Sequence, residues 1–250
     1  MGAIDISYTQ LGVGFLLLLI PTMILLKYRV RVVKRMYIAV LRMVVQLTLV
    51  GLYLDYLFEW NLWWVNTLWL IAMASVATFD MLRTVKLERG RHFFPIIVAM
   101  LLSVGFIMSY FLVCVLMIDN LFESQYFITI SGILMGNLLM SNVIAINTLF
   151  ASVRREMTLY NYMLCNGATQ GEAAAPFIRE ALQRAVEPTI ASTALIGLVS
   201  LPGTLVGQIL GGSPPDTAIR YQMMTMVIVL SCNTLSLSMT LPWVLRRSKL

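Results

Sequence analysis

The side chains that could bind or pass a solute in this sequence are mostly uncharged, and they lie inside apolar stretches. Residues 127–153 and 221–245 each carry a series of amides and hydroxyls, and residues 36–58 carry a guanidinium and an amide one turn apart. They are Ser131, Asn137, Ser141, Asn142, Asn147, Thr148, then Ser231, Asn233, Thr234, Ser236, Ser238, Thr240, and finally Arg42 and Gln46. Such side chains either hydrogen-bond neighbouring helices or line a polar route across a membrane. Both interpretations stay open at this point.

Patterns typical of catalytic or metal sites are missing from the sequence. There is no His-Glu-x-x-His and no Gly-x-Ser-x-Gly, and the three cysteines have no metal-ligand spacing. We expect the single histidine, His92, to be solvated in a basic loop. Asp80 and Arg83 are one turn apart, which predicts an ion pair at a helix end. The 17 methionines favour packing over soft-metal binding. An enzyme is therefore not expected, and the sequence assigns no metal site.

Composition places these residues in a membrane protein. Hydrophobic residues make up 59% of the 250 residues and charged residues only 12%, whereas a soluble domain is about 45–50% apolar and roughly 25% charged. A soluble domain could not bury this much apolar surface, and a disordered chain would carry more charge. Seven stretches are long enough to cross a bilayer core of ~30 Å as helices, at about 6–26, 36–58, 62–82, 95–117, 127–153, 189–210 and 221–245. We predict an all-α polytopic membrane protein with seven transmembrane helices and a single transmembrane domain over residues 1–250.

Charge predicts the orientation. The connections after the first, third, fifth and seventh stretches are basic and the others are acidic, which predicts an outer N-terminus and a cytoplasmic C-terminus in the cell (inner) membrane. The net charge of +6 is then an orientation signal, and no nucleic-acid partner is expected. The basic residues are Lys27, Arg29, Arg31, Lys34, Arg35, Arg83, Lys86, Arg89, Arg91, Arg154, Arg155, Arg179, Arg184, Arg246, Arg247 and Lys249; the acidic ones are Asp55, Glu59, Asp119, Glu123 and Asp216.

Small residues recur at a spacing of four in two stretches. Pro202, directly before the second series, removes a helix hydrogen bond and permits a break. The spacing lets a neighbouring backbone approach closely, so it predicts either tight helix packing or a broken helix beside a transport route. The glycines are Gly132 and Gly136, and then Gly203, Gly207 and Gly211.

One connection, residues 154–187, is long and predicted to be cytoplasmic. We expect a helix up to Leu164, a turn around Gly167 and a second helix from about Pro176, with Glu180 and Arg184 paired on it. Apolar residues at helical spacing give that second helix one apolar face. It would either lie on the membrane surface or dock a cytoplasmic partner. No Walker A pattern occurs, so ATP-driven transport would need an ATPase on another chain.

A longer pattern joins several of these residues. Gly-Leu-Val-Ser-Leu-Pro-Gly spans 197–203, and further matches occur along the chain, densely over 132–222. They are Arg42, Gln46 and Gly51; Gly132, Gly136 and Asn137; Gly167, Ala168 and Thr169; Gly197, Ser200, Pro202, Gly203, Gly207 and Gln208; Tyr221 and Gln222. The pattern resembles the FetB-type iron-export permeases, which are membrane subunits of ABC transporters and to which plant aluminium-tolerance permeases are similar.

The resemblance implies a permease that exports metal ions such as iron, as a homodimer in membrane lipid with a separate cytoplasmic ABC ATPase. ATP and Mg²⁺ would bind that partner, and this chain would hold no cofactor. The residues just named, apart from Gly51 and 167–169, would lie on the transport route. Residues 154–187 also resemble the coupling segment of ABC importers, which implies an ATPase-docking role for Gly167, Ala168, Thr169, Phe177, Arg179 and Glu180.

A stand-alone secondary transporter or channel for a small solute is the alternative. Such a protein needs ion-coupling carboxylates or broken helices in repeated halves. The sequence has few acids inside its apolar stretches and no clear internal repeat. The ABC permease interpretation is therefore preferred.

Overall fold

The computed structural model describes residues 7–118 and 122–247, and every regular element in these ranges is a helix. In chain order the elements are α1 (Tyr8–Phe15), a 3-10 turn (Leu16–Leu18), α2 (Leu19–Lys27), α3 (Val33–Trp60), α4 (Trp63–Val85), α5 (Arg89–Tyr110), a π turn (Phe111–Val115), α6 (Ser124–Arg155), α7 (Met157–Cys165), α8 (Gln170–Leu195), α9 (Gly203–Leu210) and α10 (Pro215–Arg247). The all-α prediction is therefore confirmed for the described residues.

Six helices in the described ranges are long and apolar enough to cross a membrane. They are Tyr8–Lys27, Val33–Trp60, Trp63–Val85, Gly90–Val115, Ser124–Arg155 and Pro215–Arg247. They correspond to the first five predicted stretches and the seventh. The count of seven crossings and the orientation of the termini stay predictions.

The sixth predicted stretch, residues 189–210, is wrong as a single helix. Its first part is the end of α8 and its last part is α9, and residues 196–202 between them are not helical. Gly197 adopts a φ of 88°, and its N–H donates to the Ser200 carbonyl at 3.0 Å. Pro202 has no N–H to continue a helix. The broken helix, one of the two alternatives left open by the sequence, is therefore what the structure contains.

The core lies between α4, α5, α6, α8 and α10, which pack against one another. Small side chains let these helices approach, and large apolar ones fill the remaining space. Fully buried members include Ala74, Met81, Met100, Leu138, Leu149, Ala181 and Leu241. The most apolar windows of α1–α2 and α3 contain no buried residue. In the single chain these two N-terminal spans therefore lie beside the bundle rather than within it.

Side-chain hydrogen bonds fix one end of the bundle. Asn61, in the left-handed conformation at the end of α3, accepts hydrogen bonds from the Ser124 N–H and hydroxyl, both at 2.9 Å. Asn66 of α4 donates to the Phe122 carbonyl at 2.8 Å and to the Ser124 hydroxyl at 2.9 Å. These bonds join the start of α4 to the start of α6. At the other end, Arg247 of α10 donates to the Arg91 carbonyl of α5 at 3.2 Å.

Candidate transport route and docking turn

A small cleft with both polar and apolar lining lies where α6, α8 and α10 meet. Its volume is about 190 Å³. It is lined by Asn137, Met140, Ser141 and Ile144 of α6, Ala185, Pro188, Thr189 and Ser192 of α8, and Met226 of α10. None of these side chains is charged or titrates near neutral pH. The cleft therefore offers amide and hydroxyl groups and two thioethers within an otherwise apolar bundle.

Buried amides lie close to this cleft and are only partly hydrogen-bonded. Asn142 donates to the Ser236 hydroxyl at 3.3 Å, and Asn233 donates to the Thr189 hydroxyl at 3.4 Å. The Oδ1 atoms of Asn142 and Asn233 are buried without a hydrogen-bond partner. A buried polar atom without a partner is costly, and a buried polar group inside a membrane bundle is a functional candidate. These two carbonyl oxygens are therefore unsatisfied polar atoms at the contacts of α6 and α8 with α10.

Pro188 gives the α8 wall of the cleft a local defect. The residue lies inside the helix, and it has no N–H to donate to the Arg184 carbonyl one turn earlier. Thr189, the next residue, reaches Asn233. Therefore α8 lacks one backbone hydrogen bond where it borders the cleft.

Residues 196–202, which we call the interrupted segment, separate α8 from α9 and follow the cleft residues of α8 in the sequence. Residues 196–202 form a tight turn whose apolar side chains are exposed, with Leu198 92% accessible. In α9, Thr204 donates to the Oε1 of Gln222 in α10 at 2.7 Å, and Leu205 is buried. These contacts hold α9 against the first turns of α10. The segment 196–202 before α9 leaves most of its side chains exposed in the single chain.

The turn between α7 and α8 is built by local signals. Gly167 has a φ of 88°, which favours glycine. Thr169 is the N-cap of α8 and forms a capping box with Glu172: the Glu172 carboxylate accepts from the Thr169 N–H at 2.8 Å and its hydroxyl at 2.7 Å. These hydrogen bonds lower the pKa of the Glu172 carboxyl. The predicted start at Pro176 is therefore wrong, because the capping box begins the helix earlier and Pro176 lies inside it.

The apolar face predicted for α8 is covered by protein. Of the predicted face, Ala174, Ala181 and Ala185 are buried, and Ile178 and Leu182 are half-buried. Phe177, beside this face, packs edge-on against Tyr160 of α7 with ring centroids 6.3 Å apart. Other helices of this chain therefore cover most of this face. The predicted Glu180–Arg184 pair is also wrong, since Glu180 pairs with Arg155 of α6 at 3.3 Å.

The predicted route residues do not come together at one place. Asn137 lines the cleft, and Gln222 is buried at α9. Arg42 of α3 pairs with Asp80 of α4 at 2.9 Å, so the predicted Asp80–Arg83 pair is wrong. The others lie apart from the cleft lining: Gln46, Gly136, Gly203, Gly207 and Gln208 are exposed, Gly132 and Tyr221 are half-buried, and Gly197, Ser200 and Pro202 form the interrupted segment.

Sequence reasoning missed Thr189 and Ser192 as cleft residues and misplaced His92. Thr189 and Ser192 lie at the start of the sixth predicted stretch. They face α6 across the cleft because α8 continues through this region as one helix. His92 is 3% exposed rather than solvated. In the part of the chain that is described, no three His, Cys, Asp or Glu side chains are grouped to hold a metal ion.

Comparison with known proteins gives one consistent family. The model of the family described as "Uncharacterised protein family (UPF0014)" matches residues 8–248. UPF0014 membrane protein slr1647 of Synechocystis is 30% identical over 195 residues, which cover 78% of this chain and 75% of the relative. Probable iron export permease protein FetB of Escherichia coli is 28% identical over 236 residues, 94% and 90% of the two chains. Protein ALUMINUM SENSITIVE 3 of Arabidopsis thaliana is 29% identical over 203 residues, 80% and 72%. No solved structure matches.

Proposed function

The chain belongs to the UPF0014 family, and from that premise we propose that it is the transmembrane permease subunit of an ABC exporter, driven by a separate cytoplasmic ATPase. The resemblance to FetB-type permeases is confirmed by the relatives. Relatives named as membrane proteins, together with six membrane-capable helices, make the chain a multi-pass membrane protein.

The cleft between α6, α8 and α10 is the observation that carries the proposal. A secondary transporter binds its coupling ion through ionisable side chains or through the unwound backbone of broken helices in two repeated halves. The only helix interruption of this kind among the described residues, at 196–202, has no repeated counterpart there. The cleft is lined instead by one amide, three hydroxyls, two thioethers and the apolar side chains of Ile144, Ala185 and Pro188. Energy for uphill transport is therefore expected from outside the cleft, which favours an ATPase subunit over self-coupled transport.

One continuous helix links the proposed docking turn to the cleft. Gly167, Ala168 and Thr169 precede α8, and Pro188, Thr189 and Ser192 of the same helix line the cleft. The first half of α8 is fixed to α7 by Phe177 and to α6 by Glu180. An ATPase that pushes on the turn would move α8 as a lever, and the cleft wall at Pro188 would move with it.

A homodimer in membrane lipid accounts for the uncovered parts of the chain. Non-helical backbone at membrane depth is tolerated only where protein or a water-filled cavity surrounds it. The turn at 196–202 is exposed in the single chain, and α1–α3 bury almost nothing. A second permease copy would cover the turn, and lipid would cover the remaining apolar faces. The seven-crossing topology follows if the end of α8 and α9 together form one interrupted crossing.

The proposed cargo is a metal ion such as iron. The Escherichia coli relative is named a probable iron export permease. Neutral amide and hydroxyl oxygens suit hard cations, and the thioethers of Met140 and Met226 add softer donors. Without carboxylates, such a lining would hold a cation weakly enough to release it on the far side.

Transport in reconstituted vesicles tests the proposal. The permease is inserted with its cognate ATPase, and movement of Fe²⁺, Mn²⁺, Zn²⁺ and a small organic solute is followed with and without ATP. We expect ATP-dependent metal transport that is lost with a hydrolysis-deficient ATPase. Equal transport without ATPase would overturn the proposal in favour of the stand-alone transporter or channel, and equal rates for all solutes would remove metal as the cargo.

A further inference from the structure

We propose that a basic cleft at the end of the bundle near Arg247 binds a phosphate group, supplied by the headgroup of an anionic lipid. This basic cleft has a volume of about 700 Å³. It is lined by Val85, Lys86, Leu87, Glu88, Arg91, His92, Asn147, Phe150, Ala151, Arg154 and Arg247. The site is separate from the transport cleft and does not rest on the proposed function.

Positive charge exceeds negative charge among the described residues that line the basic cleft. Lys86, Arg91, Arg154 and Arg247 come from the α4–α5 turn, α5, α6 and α10, and they face one acid, Glu88. None of the four cations forms an ion pair among the described residues, whereas Arg42, Arg155 and Arg220 each do. Convergence of like charges in a concave surface creates a positive potential that attracts an anion. Four cations that form no ion pair among the described residues therefore line one cleft.

Several donors around the basic cleft are fixed in place. Lys86 has a φ of 59°, and the adjoining N–H of Leu87 donates to the Leu82 carbonyl at 3.1 Å, so the α4 terminus sets the position of Lys86. Arg247 donates to the Arg91 carbonyl at 3.2 Å, which ties α10 to α5. Arginine presents parallel N–H groups that match the oxygens of a phosphate.

His92 adds an unused ring nitrogen to the wall of the basic cleft. Its side chain is almost fully buried, and its Nδ1 has no hydrogen-bond partner. Nδ1 can donate or accept a hydrogen bond, depending on the tautomer of the ring. Asn147 of α6 is exposed in the same cleft. The site therefore offers neutral hydrogen-bonding groups as well as charge.

An adjoining apolar groove favours a lipid as the source of the phosphate. A second cleft of about 320 Å³ shares Arg247 and is otherwise lined by Phe94, Pro95, Val98, Trp243 and Arg246. Phe94 is 70% exposed. Basic pockets between transmembrane helices bind anionic headgroups, and tryptophan is enriched at the membrane interface. A headgroup at Arg247 would place an acyl chain along this groove, whereas free phosphate would leave the groove unused.

Lipid binding to the purified full chain tests the site. Native mass spectrometry measures retention of phosphatidylglycerol, phosphatidic acid and phosphatidylcholine by the wild type, by an Arg154→Gln/Arg247→Gln variant and by an Arg31→Gln/Arg35→Gln control. The control removes the same charge from exposed residues outside the cleft. We expect the anionic lipids to bind the cleft variant about tenfold or more weakly, because charge-assisted hydrogen bonds are lost, while the control binds like the wild type. Thermal unfolding in zwitterionic detergent verifies that both variants are folded, and an Arg154→Lys/Arg247→Lys variant should recover part of the affinity.

Competition separates the sources of the phosphate. Inorganic phosphate at millimolar concentration should fail to displace the lipid if the apolar groove contributes, whereas full displacement would retain the phosphate site but overturn the lipid as its ligand. Equal lipid binding by the cleft variant and the control would overturn the site. Lost ATPase binding in the cleft variant, with lipid and phosphate binding unchanged, would also overturn it and assign the cations to a protein contact.

Discussion

Arg42 of α3 and Asp80 of α4 form an ion pair with Nη2 and Oδ2 2.9 Å apart. It is a side-chain connection between an N-terminal span and the bundle, and it joins residues that are distant in sequence. Both side chains are partly exposed, at 46% and 30%, so screening limits what the pair contributes. The ion pair mainly determines where α3 contacts α4, and it adds little to the free energy of unfolding.

The Arg42–Asp80 pair can be measured with a double-mutant cycle. Arg42→Met, Asp80→Asn and the combined variant should give a coupling free energy of about 0.2–1 kcal/mol in thermal or denaturant unfolding. The exchanged variant Arg42→Asp/Asp80→Arg should recover part of the loss. Arg83→Met serves as the control, because Arg83 forms no ion pair among the described residues; coupling of Arg83 to Asp80 instead would contradict the structure.

Asn233→Leu should separate stability from transport. The Asn233 Oδ1 is buried without a partner and its amide makes one long hydrogen bond to Thr189, so an apolar side chain of similar size should leave unfolding unchanged or raise its midpoint. Transport through the cleft should fall about tenfold or more, if a carbonyl that contacts the solute is worth roughly 1.4 kcal/mol. Vesicle transport and thermal unfolding check both halves.

Thr78→Val is the matched control for Asn233→Leu. Thr78 is fully buried in α4, and its hydroxyl donates to the Met100 sulfur at 3.6 Å, outside the cleft between α6, α8 and α10. Its transport should equal that of the wild type. A similar loss of transport in both variants would mean that the effect of Asn233→Leu is not specific to the cleft.

Gly197→Ala should destabilise the interrupted segment through the backbone alone. An added Cβ at Gly197 would have no atom within 4 Å, but the φ of 88° disfavours any L side chain, at a cost of about 1–2 kcal/mol. Gly203→Ala is the matched control, since its added Cβ also has no atom within 4 Å and its φ is ordinary. Unfolding in a detergent titration should shift for the first and not the second. Equal shifts would mean that the turn at Gly197 is not left-handed.

The start of α8 should depend on pH through Glu172. Hydrogen bonds from Thr169 hold the pKa of the Glu172 carboxyl below its usual value. The stabilisation is therefore present above the ordinary glutamate pKa of about 4.3, and it is lost as the pH falls through the lower folded pKa. Hydrogen exchange of amides 170–173, corrected for intrinsic rates, should show less protection in acid. Glu172→Gln should abolish most of this pH dependence; an unchanged pH profile in that variant would exclude the capping box as its cause.

Ser124→Ala should loosen the junction of α4 and α6. Ser124 is buried and exchanges hydrogen bonds with Asn61 and Asn66, so the loss of its hydroxyl should cost about 1–3 kcal/mol of unfolding free energy. Ser103→Ala is the control: Ser103 is equally buried, but its hydroxyl donates only to Ala99 of its own helix. A smaller loss at Ser124 than at Ser103 would contradict the assigned bonds.

Local composition predicts the helices well, because a continuous apolar run can hydrogen-bond its backbone inside lipid only as a helix in such a chain. It fails at helix ends that depend on one side chain. A helix was predicted to start at Pro176 and a separate span at 189, yet both positions lie within α8. The Thr169–Glu172 capping box that begins α8 is visible in the sequence as Thr-x-x-Glu, so this start could have been predicted.

Contacts between distant residues could not be derived from local spacing. Asp80 and Glu180 each have an arginine at helical spacing, but both pair with an arginine on another helix. The burial of His92 depends on how α5 packs against α10. Asn137 was predicted as a route residue and lines the cleft, while Thr189 and Ser192 join it only through the course of α8.

The uneven burial of the helices also bears on biosynthesis. Among the described helices, α1–α3 leave the ribosome before α4, α6 and α10, yet the later ones form the core and the earlier ones bury almost nothing. The first spans must therefore be retained in the bilayer by their own hydrophobicity, as in two-stage assembly. These spans would pack against other helices only after later parts of the chain, or another subunit, are inserted. Substitutions that make α2 or α3 more polar should therefore impair membrane insertion more than folding of the core.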